Sequence, residues 1–391
     1  MLKLKHLREE FGIKQSDLAK RLGISREYLS KIENGKVGIK QEMHNKIETS
    51  IKQLSANALD IMIDYVRVRF PTLDYILVIR KIMKLKLEFM LYEDYALYGY
   101  TSMYSYGDVK VMLSNDPQKG ILVEMHGTGC RQLEYFLKAQ KRTWYDFFSD
   151  LFYFNAIFKR VDLAINDRYG ILDVQTLIDK CNNQECVSVF KKYDVYSKGK
   201  LLSPNEEKRA EMGKTLYIGR MQSEIYFCIY EKDKEQLEKK GIALEDAKIK
   251  NRFEIRLKNE RAQIAIRTLL HERNPEKVAF GIINRYLRFV DKNDKKNNNE
   301  WELNPDWLFF IGENRHSLKL TTAEEPMSFE KTVLWLENFV APSWKMVSIL
   351  DELRDTTVLA DIMKRTVLKG KVRKLLEQQL MLENVNNVIE N

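Results

Sequence analysis

The stretch Ser223-Glu-Ile-Tyr-Phe-Cys-Ile-Tyr230-Glu-Lys232 alternates as a strand must, with Ile225, Phe227 and Ile229 on one face and Tyr226, Cys228 and Tyr230 on the other. If the strand persists, Lys232 shares the parity of Tyr230. A phenol next to an ammonium group is a candidate oxygen nucleophile. Three other segments set a carboxylate against an apolar face in the same way. Glu124 alternates with Val123 and Met125; Asp162 with Val161 and Leu163; Glu254, flanked by Arg252 and Arg256, with Phe253 and Ile255. A carboxylate in mid-strand is costly to bury without a partner, so each of these positions asks for a chemical reason.

Gathered on one face, three carboxylates repel and should either hold raised pKa values or bind a cation. Oxygen ligands from Asp162, Glu254 and Glu124, with His126 nearby, suit Mg²⁺ or Mn²⁺, which would polarise a phosphodiester oxygen. Making phenolate at neutral pH costs roughly 4 kcal/mol. The metal, Lys232, Arg252 and Arg256 are the cations expected to offset part of that, and the arginines could also hold phosphate. In-line attack by Tyr230 on DNA would leave a phosphotyrosyl bond and a free 3′-hydroxyl. That bond resembles the one broken in energy, so the strand could be rejoined without ATP.

The elements that must position these groups follow from spacing. Residues 3–11 and 41–53 have helical patterns, and between them Lys14 to Gly35 encodes two helices about a tight turn at Gly23. Leu18, Ala19 and Leu22 face inward on the first; Ser25 caps the second, which Leu29 and Ile32 bury. Further on, a strand is expected from Asp60 to Phe70, a helix from Pro71 to about Lys84, and a hairpin turn at Tyr106-Gly107-Asp108. The tyrosines from Tyr92 to Tyr106 could stack on unpaired bases, although an aromatic stripe is more often core. One helix after Gly129 is expected to bury Leu133, Phe136, Leu137 and Trp144. A hairpin joins residues 213–219 to the Tyr230 strand; residues 198–212 and 291–300 read as polar loops. From Ser328 the pattern is helical, broken at Pro342, with a basic run from Lys364 to Lys374.

At 391 residues the chain exceeds one ordinary core. We divide it into a DNA-binding domain at 1–55, a catalytic domain at 56–325 and a helical segment at 326–391. No apolar run approaches the roughly 20 residues of a membrane span, and the N-terminus lacks a signal-peptide block, so a cytoplasmic location is expected. Four irregularly spaced cysteines read as reduced thiols. The net charge of +9 favours a polyanionic partner. The alternating strands with intervening helices imply an α+β fold: an antiparallel-rich sheet covered by helices on one face, its other face open for catalysis, after an all-α N-terminal domain.

Gln15, Ala19, Gly23, Ile24 and Glu33-Asn34-Gly35 resemble the helix-turn-helix of the phage-repressor family. That resemblance implies that Ser25, Arg26, Glu27 and Tyr28 meet base edges in the major groove, with Gln15 and Lys31 also on the DNA. Arg160-Val-Asp162-Leu-Ala, Thr215-Leu-Tyr-Ile-Gly219 with Ser223, Ile229-Tyr230-Glu-Lys232 and Arg252-Phe-Glu254-Ile-Arg-Leu resemble the rolling-circle replication-initiation family, and within it the MobT-type relaxases of integrative conjugative elements. This implies a DNA-nicking enzyme acting on duplex and single-stranded origin DNA through Tyr230, with a conjugation coupling protein and accessory processing factors as further partners. The chain departs from plasmid initiators in carrying Met221 where they have arginine, with Arg220 as the substitute, and Asn166 where they have aspartate. A transcriptional regulator with a sensing or dimerisation domain, or a plasmid replication initiator proper, is the alternative.

Overall fold

A computed structural model describes residues 2–199, 211–312 and 340–369, together with residues 373 and 376. Four helices open the chain: α1 (Leu2–Glu10), α2 (Gln15–Leu22), α3 (Arg26–Glu33) and α4 (Gln41–Gln53). Leu18, Ala19, Leu22, Leu29 and Ile32 are buried between them, as the spacing requires. Gly23 ends α2 at φ 67°, a left-handed conformation that costs glycine nothing. Ser25 caps α3 by accepting from the Tyr28 amide at 3.1 Å.

Strand β1 (Leu59–Phe70) follows. The helix expected from Pro71 to about Lys84 is a shorter one, starting at residue 75 and running on as a π-helical segment, Leu77–Ile82. Strands β2 (Leu91–Glu93), β3 (Ser102–Tyr106), β4 (Val109–Leu113) and β5 (Ile121–His126) come next, with Gly107 turning β3 into β4 at φ 59°. The helix expected to reach Trp144 is two helices, α5 (Thr128–Ala139) and α6 (Trp144–Tyr153). Thr143 and Asp146 form a capping box that starts the second, and Lys141 at φ 56° breaks the first away from it. Then come β6 (Ile157–Asp167), α7 (Val174–Asn182), β7 (Cys186–Ser188), β8 (Tyr193–Gly199), β9 (Glu211–Ile218) and β10 (Ile225–Glu231). Of the polar loop expected over 198–212, residues 198–199 and 211–212 belong to the ends of β8 and β9, and residues 200–210 lie outside the described residues.

The Tyr230 strand stops at Glu231, and Lys232 opens helix α8 (Lys232–Lys240), so the strand parity expected for Lys232 does not apply. Strand β11 (Asn251–Lys258) leads into α9 (Asn259–Glu272), α10 (Pro275–Tyr286), β12 (Leu287–Asp291), β13 (Glu302–Leu303) and α11 (Pro305–Ile311). The helical pattern expected from Ser328 lies outside the described residues up to 339. Helix α12 (Ala341–Arg354) carries Pro342 in its first turn, where a missing N–H is harmless, and α13 (Val358–Arg365) follows. Much of the basic run ending at Lys374 is also outside the described residues.

The chain forms two compact units, Met1–Asp64 with Arg160–Thr321, and Tyr65–Lys159 with Thr322–Asn391. In the first, the strand order is β1-β6-β11-β10-β9-β8, with antiparallel pairing from β6 onward. Its apolar face holds Phe227 and Phe253, 5.4 Å apart, with Tyr286 of α10 and Trp307 and Phe310 of α11 packed on them. Burying each such ring stabilises the unit by about 1.5–3 kcal/mol. In the second, β2-β3-β4-β5-β1 form an antiparallel meander closed by β1, backed by α5. The tyrosine-rich stretch there divides: Tyr100 and Tyr106 are buried, and Tyr92, Tyr95 and Tyr98 are exposed. No described helix is long and apolar enough to cross a membrane.

Candidate active site

The antiparallel register sets the polar face of the first unit. Tyr230 lies opposite Arg252 on one side and Thr215 on the other; Cys228 lies opposite Glu254, and Tyr226 opposite Arg256. On the next strand pair Arg252 faces Asn166, and Arg256 faces Asp162. Directly opposed residues share a face, so Tyr230, Glu254, Arg256, Arg252 and Asp162 converge without any loop having to place them.

The Tyr230 hydroxyl donates to Glu254 Oε1 at 2.8 Å and accepts from Lys232 Nζ at 3.5 Å. Arg256 donates to Glu254 Oε2 through Nε at 2.9 Å and Nη2 at 2.7 Å, and its Nε is 3.7 Å from Asp162. Both oxygens of Asp162 accept from Arg160, at 2.9 and 2.6 Å. Burial, then the Glu254 charge, raises the Tyr230 phenol well above its ordinary value, with Arg252 pulling the other way. Burial, then Arg252, lowers the Lys232 ammonium, while Glu235 holds its proton. Burial pushes Asp162 up to about 6 against the pull of Arg160.

A cleft of about 300 Å³ opens beside this row, lined by Tyr217, Cys228, Tyr230 and Arg256 from the strands and by Glu235 and Lys239 from α8. Helix α8 thus borders the polar face of the sheet. It also supplies Glu235, which strand alternation could not reveal: at helical spacing i+3 from Lys232, its carboxylate pairs with that ammonium.

Arg252 takes a different place from the phosphate contact expected of it. It is 6% exposed, and its guanidinium donates to Asn166 Oδ1 at 2.8 Å and to Asp64 at 3.0 Å. Asn166 in turn donates to Asp60 at 2.8 Å. The arginine is an internal tie between β1, β6 and β11, directly across from the tyrosine.

Glu124 belongs to the second unit. It is 2% exposed and accepts from the hydroxyls of Tyr65 and Tyr98, at 2.5 and 2.9 Å, with Arg67 at 3.7 Å. The expectation that it joins a metal site with Asp162 and Glu254 draws no support from these surroundings. His126 stacks on Tyr65.

A divalent cation needs free oxygen ligands. The oxygens of Asp162 and Glu254 are already engaged by Arg160, Arg256 and Tyr230, and no cluster of three or more His, Cys, Asp or Glu side chains suited to a metal occurs among the described residues. As arranged, this is a pair of arginine-neutralised carboxylates, and it does not fit a tightly held ion.

In the N-terminal helices, Arg26, Glu27, Tyr28 and Lys31 are exposed on α3. Ser25 has its hydroxyl committed to the cap. Gln15 donates to Glu33 at 2.9 Å, and Glu33 is itself buried against Arg8.

Comparison with known proteins agrees with this architecture. The family described as "Replication initiation factor" matches residues 156–363, "Rolling Circle replication initiation protein N-terminal domain" matches 60–150, and "Helix-turn-helix" matches 4–55. A relative from Bacillus subtilis (strain 168), "Putative DNA relaxase NicK", is 39% identical over 317 residues, covering 81% of this chain and 88% of its own length. The solved rolling circle replication initiator protein of Geobacillus stearothermophilus matches with a TM-score of 0.57 at 26% identity, over 68% of this chain and 99% of that one. The chain therefore belongs to the replication initiation factor family, extended at its N-terminus by a helix-turn-helix.

Proposed function

We propose that this protein is a relaxase: it nicks one strand of origin DNA with Tyr230, holds the cut strand covalently, and rejoins strands to begin and end conjugative transfer or rolling-circle replication. The observation that carries the reading is the Tyr230 hydroxyl, which sits at a cleft with a carboxylate acceptor at 2.8 Å and an ammonium group at 3.5 Å. Because burial disfavours free phenolate, the proton leaves as the oxygen attacks, and Glu254 is the group placed to take it. The phenolic oxygen bonds to phosphorus and the P–O3′ bond breaks. Lys232, whose proton is loosened by burial and which stands 3.5 Å from the phenolic oxygen, is our candidate for the acid that protonates the departing 3′-oxygen. Arg256 lines the same cleft and stabilises charge on the phosphate. Reversal of these steps reseals the strand.

Duplex origin DNA is read by α3 through Arg26, Glu27, Tyr28 and Lys31. Mg²⁺ or Mn²⁺ is proposed only as a weakly held ion that arrives with the DNA phosphate, since Mg²⁺ commonly binds one or two carboxylates plus substrate phosphate. Supercoiled origin plasmid tests the function. The intact protein should convert it to nicked or relaxed circles, and Tyr230→Phe should not, while both retain duplex binding. A Tyr230→Phe protein that still nicks would assign the reaction to another residue, with Tyr217 and Tyr226 the neighbours to examine.

A further inference from the structure

The helix-turn-helix is held to helix α11 and to the turn after β6 of its own unit through a small set of directed contacts. Arg21, at the end of α2, donates to Asp306 of α11 at 2.7 Å and to Gln53 at 2.9 Å, and lies over the Phe309 ring at 4.7 Å. Gln53, the last residue of α4, donates to the carbonyls of Tyr169 and Gly170 at 3.2 and 2.9 Å. The Arg21 side chain is only 13% exposed, and Gln53 and Phe309 are buried. The connection from α4 to β1 is no loose tether: Leu54, Ser55 and Ala58 are buried, and the Ala58 carbonyl accepts from the Arg168 amide at 3.0 Å.

These contacts lead to the nucleophile. Helix α11 carries Asp306 and Phe309 toward Arg21, while its Trp307 and Phe310 pack on Phe253 of β11. The next residue on that strand, Glu254, accepts from Tyr230. Packed aromatic cores have low compliance. Resting on the relaxase reading above, we infer that Arg21 is a positioning residue: it clamps α2, against which the recognition helix α3 packs, to α11 and through it to the catalytic sheet, so that the duplex element read by α3 fixes which phosphate reaches Tyr230. A freely swinging DNA-binding domain would tolerate many spacings between the two elements; this one should tolerate one.

The test uses the full chain and a duplex carrying the sequence the protein protects on its own element, with five base pairs, about half a helical turn, inserted between the protected segment and the nick. Wild-type protein should lose at least about tenfold in nicking rate on the insertion, as expected when a reacting group is misplaced. Arg21→Ala and Asp306→Ala should show a much flatter dependence, less than about threefold by the same reasoning, and the exchange Arg21→Asp with Asp306→Arg should restore the steep one. Asp306 is half exposed, so its variant leaves the core intact if Arg21→Ala does not fold. Spacing indifference in the wild type, or equal steepness in all the variants, would overturn the clamp. A short single strand containing only the nick site separates the two levels: if it too stays uncut, the relaxase reading fails and the clamp falls with it.

Discussion

Tyr230 and Glu254 meet on the diagonal of an antiparallel pair. The tyrosine is in register with Arg252 and the glutamate with Cys228, yet the phenol reaches across to the carboxylate at 2.8 Å. Side chains two positions apart on neighbouring strands are within reach only when at least one of them is long, as tyrosine is. If Glu254 takes the phenolic proton, Glu254→Gln should keep the fold and the duplex affinity while slowing nicking by about 10²–10⁴-fold. Single-turnover cleavage of a labelled oligonucleotide measures this, and a loss under fivefold would remove Glu254 from proton transfer.

The placement of Arg252 predicts a stability defect. Replacing it with methionine removes the guanidinium paired with Asp64 and leaves the Asn166 carbonyl without its donor, and breaking such a buried pair typically costs about 3–5 kcal/mol. Urea denaturation should show that loss. If Arg252→Met instead folds normally and only weakens oligonucleotide binding, the arginine belongs on phosphate after all.

Asn166 makes two hydrogen bonds of opposite sense. Its amide donates to Asp60 and its carbonyl accepts from Arg252, a bridge that a carboxylate cannot make because it has no donor. Asn166→Asp should therefore destabilise by about 1–3 kcal/mol, the cost of an unmade buried hydrogen bond. Adding Asp60→Asn should recover most of that. Full stability in the single variant would show that the bridge contributes little.

Asp162 gives a pH dependence with a definite sign. Its folded pKa, about 6, lies above the ordinary 3.8, so the folded state holds this proton more tightly than the unfolded chain does. Between about pH 4 and 6 the folded state binds the extra proton, and stability falls as pH rises through that window, by up to about 3 kcal/mol. The difference in unfolding free energy between wild type and Asp162→Asn should shrink accordingly from pH 4 to pH 7. A difference that grows with pH would mean that the Arg160 pair outweighs burial.

The part of this site legible in the sequence is the part governed by a period of two. Alternation put Tyr230, Glu254 and Asp162 on polar faces, and antiparallel pairing then made those faces one. Lys232 obeys a different period: it stands at the first turn of α8, and its partner Glu235 follows helical spacing. Glu124 shows the limit of parity. Along β1 the residues facing Arg252 and Asn166 are at even positions, Asp60 and Asp64, whereas those holding Glu124 are Tyr65 and Arg67. Equal alternation within each strand therefore does not assign every carboxylate to one group. Helix α10 follows with weaker periodicity, and its place is set by the aromatic core on which its Tyr286 and Phe280 pack rather than by local pattern. The helix-turn-helix was the most legible region because its turn glycine, cap and buried positions are all local.

The most direct measurement is peptide mass spectrometry of the protein trapped on an oligonucleotide containing the nick site. The account predicts a peptide spanning Ser223 to Lys232 in which Tyr230 carries the 5′-phosphate of the downstream strand. An adduct on Tyr217 or Tyr226, or cleavage with no covalent protein at all, would contradict it.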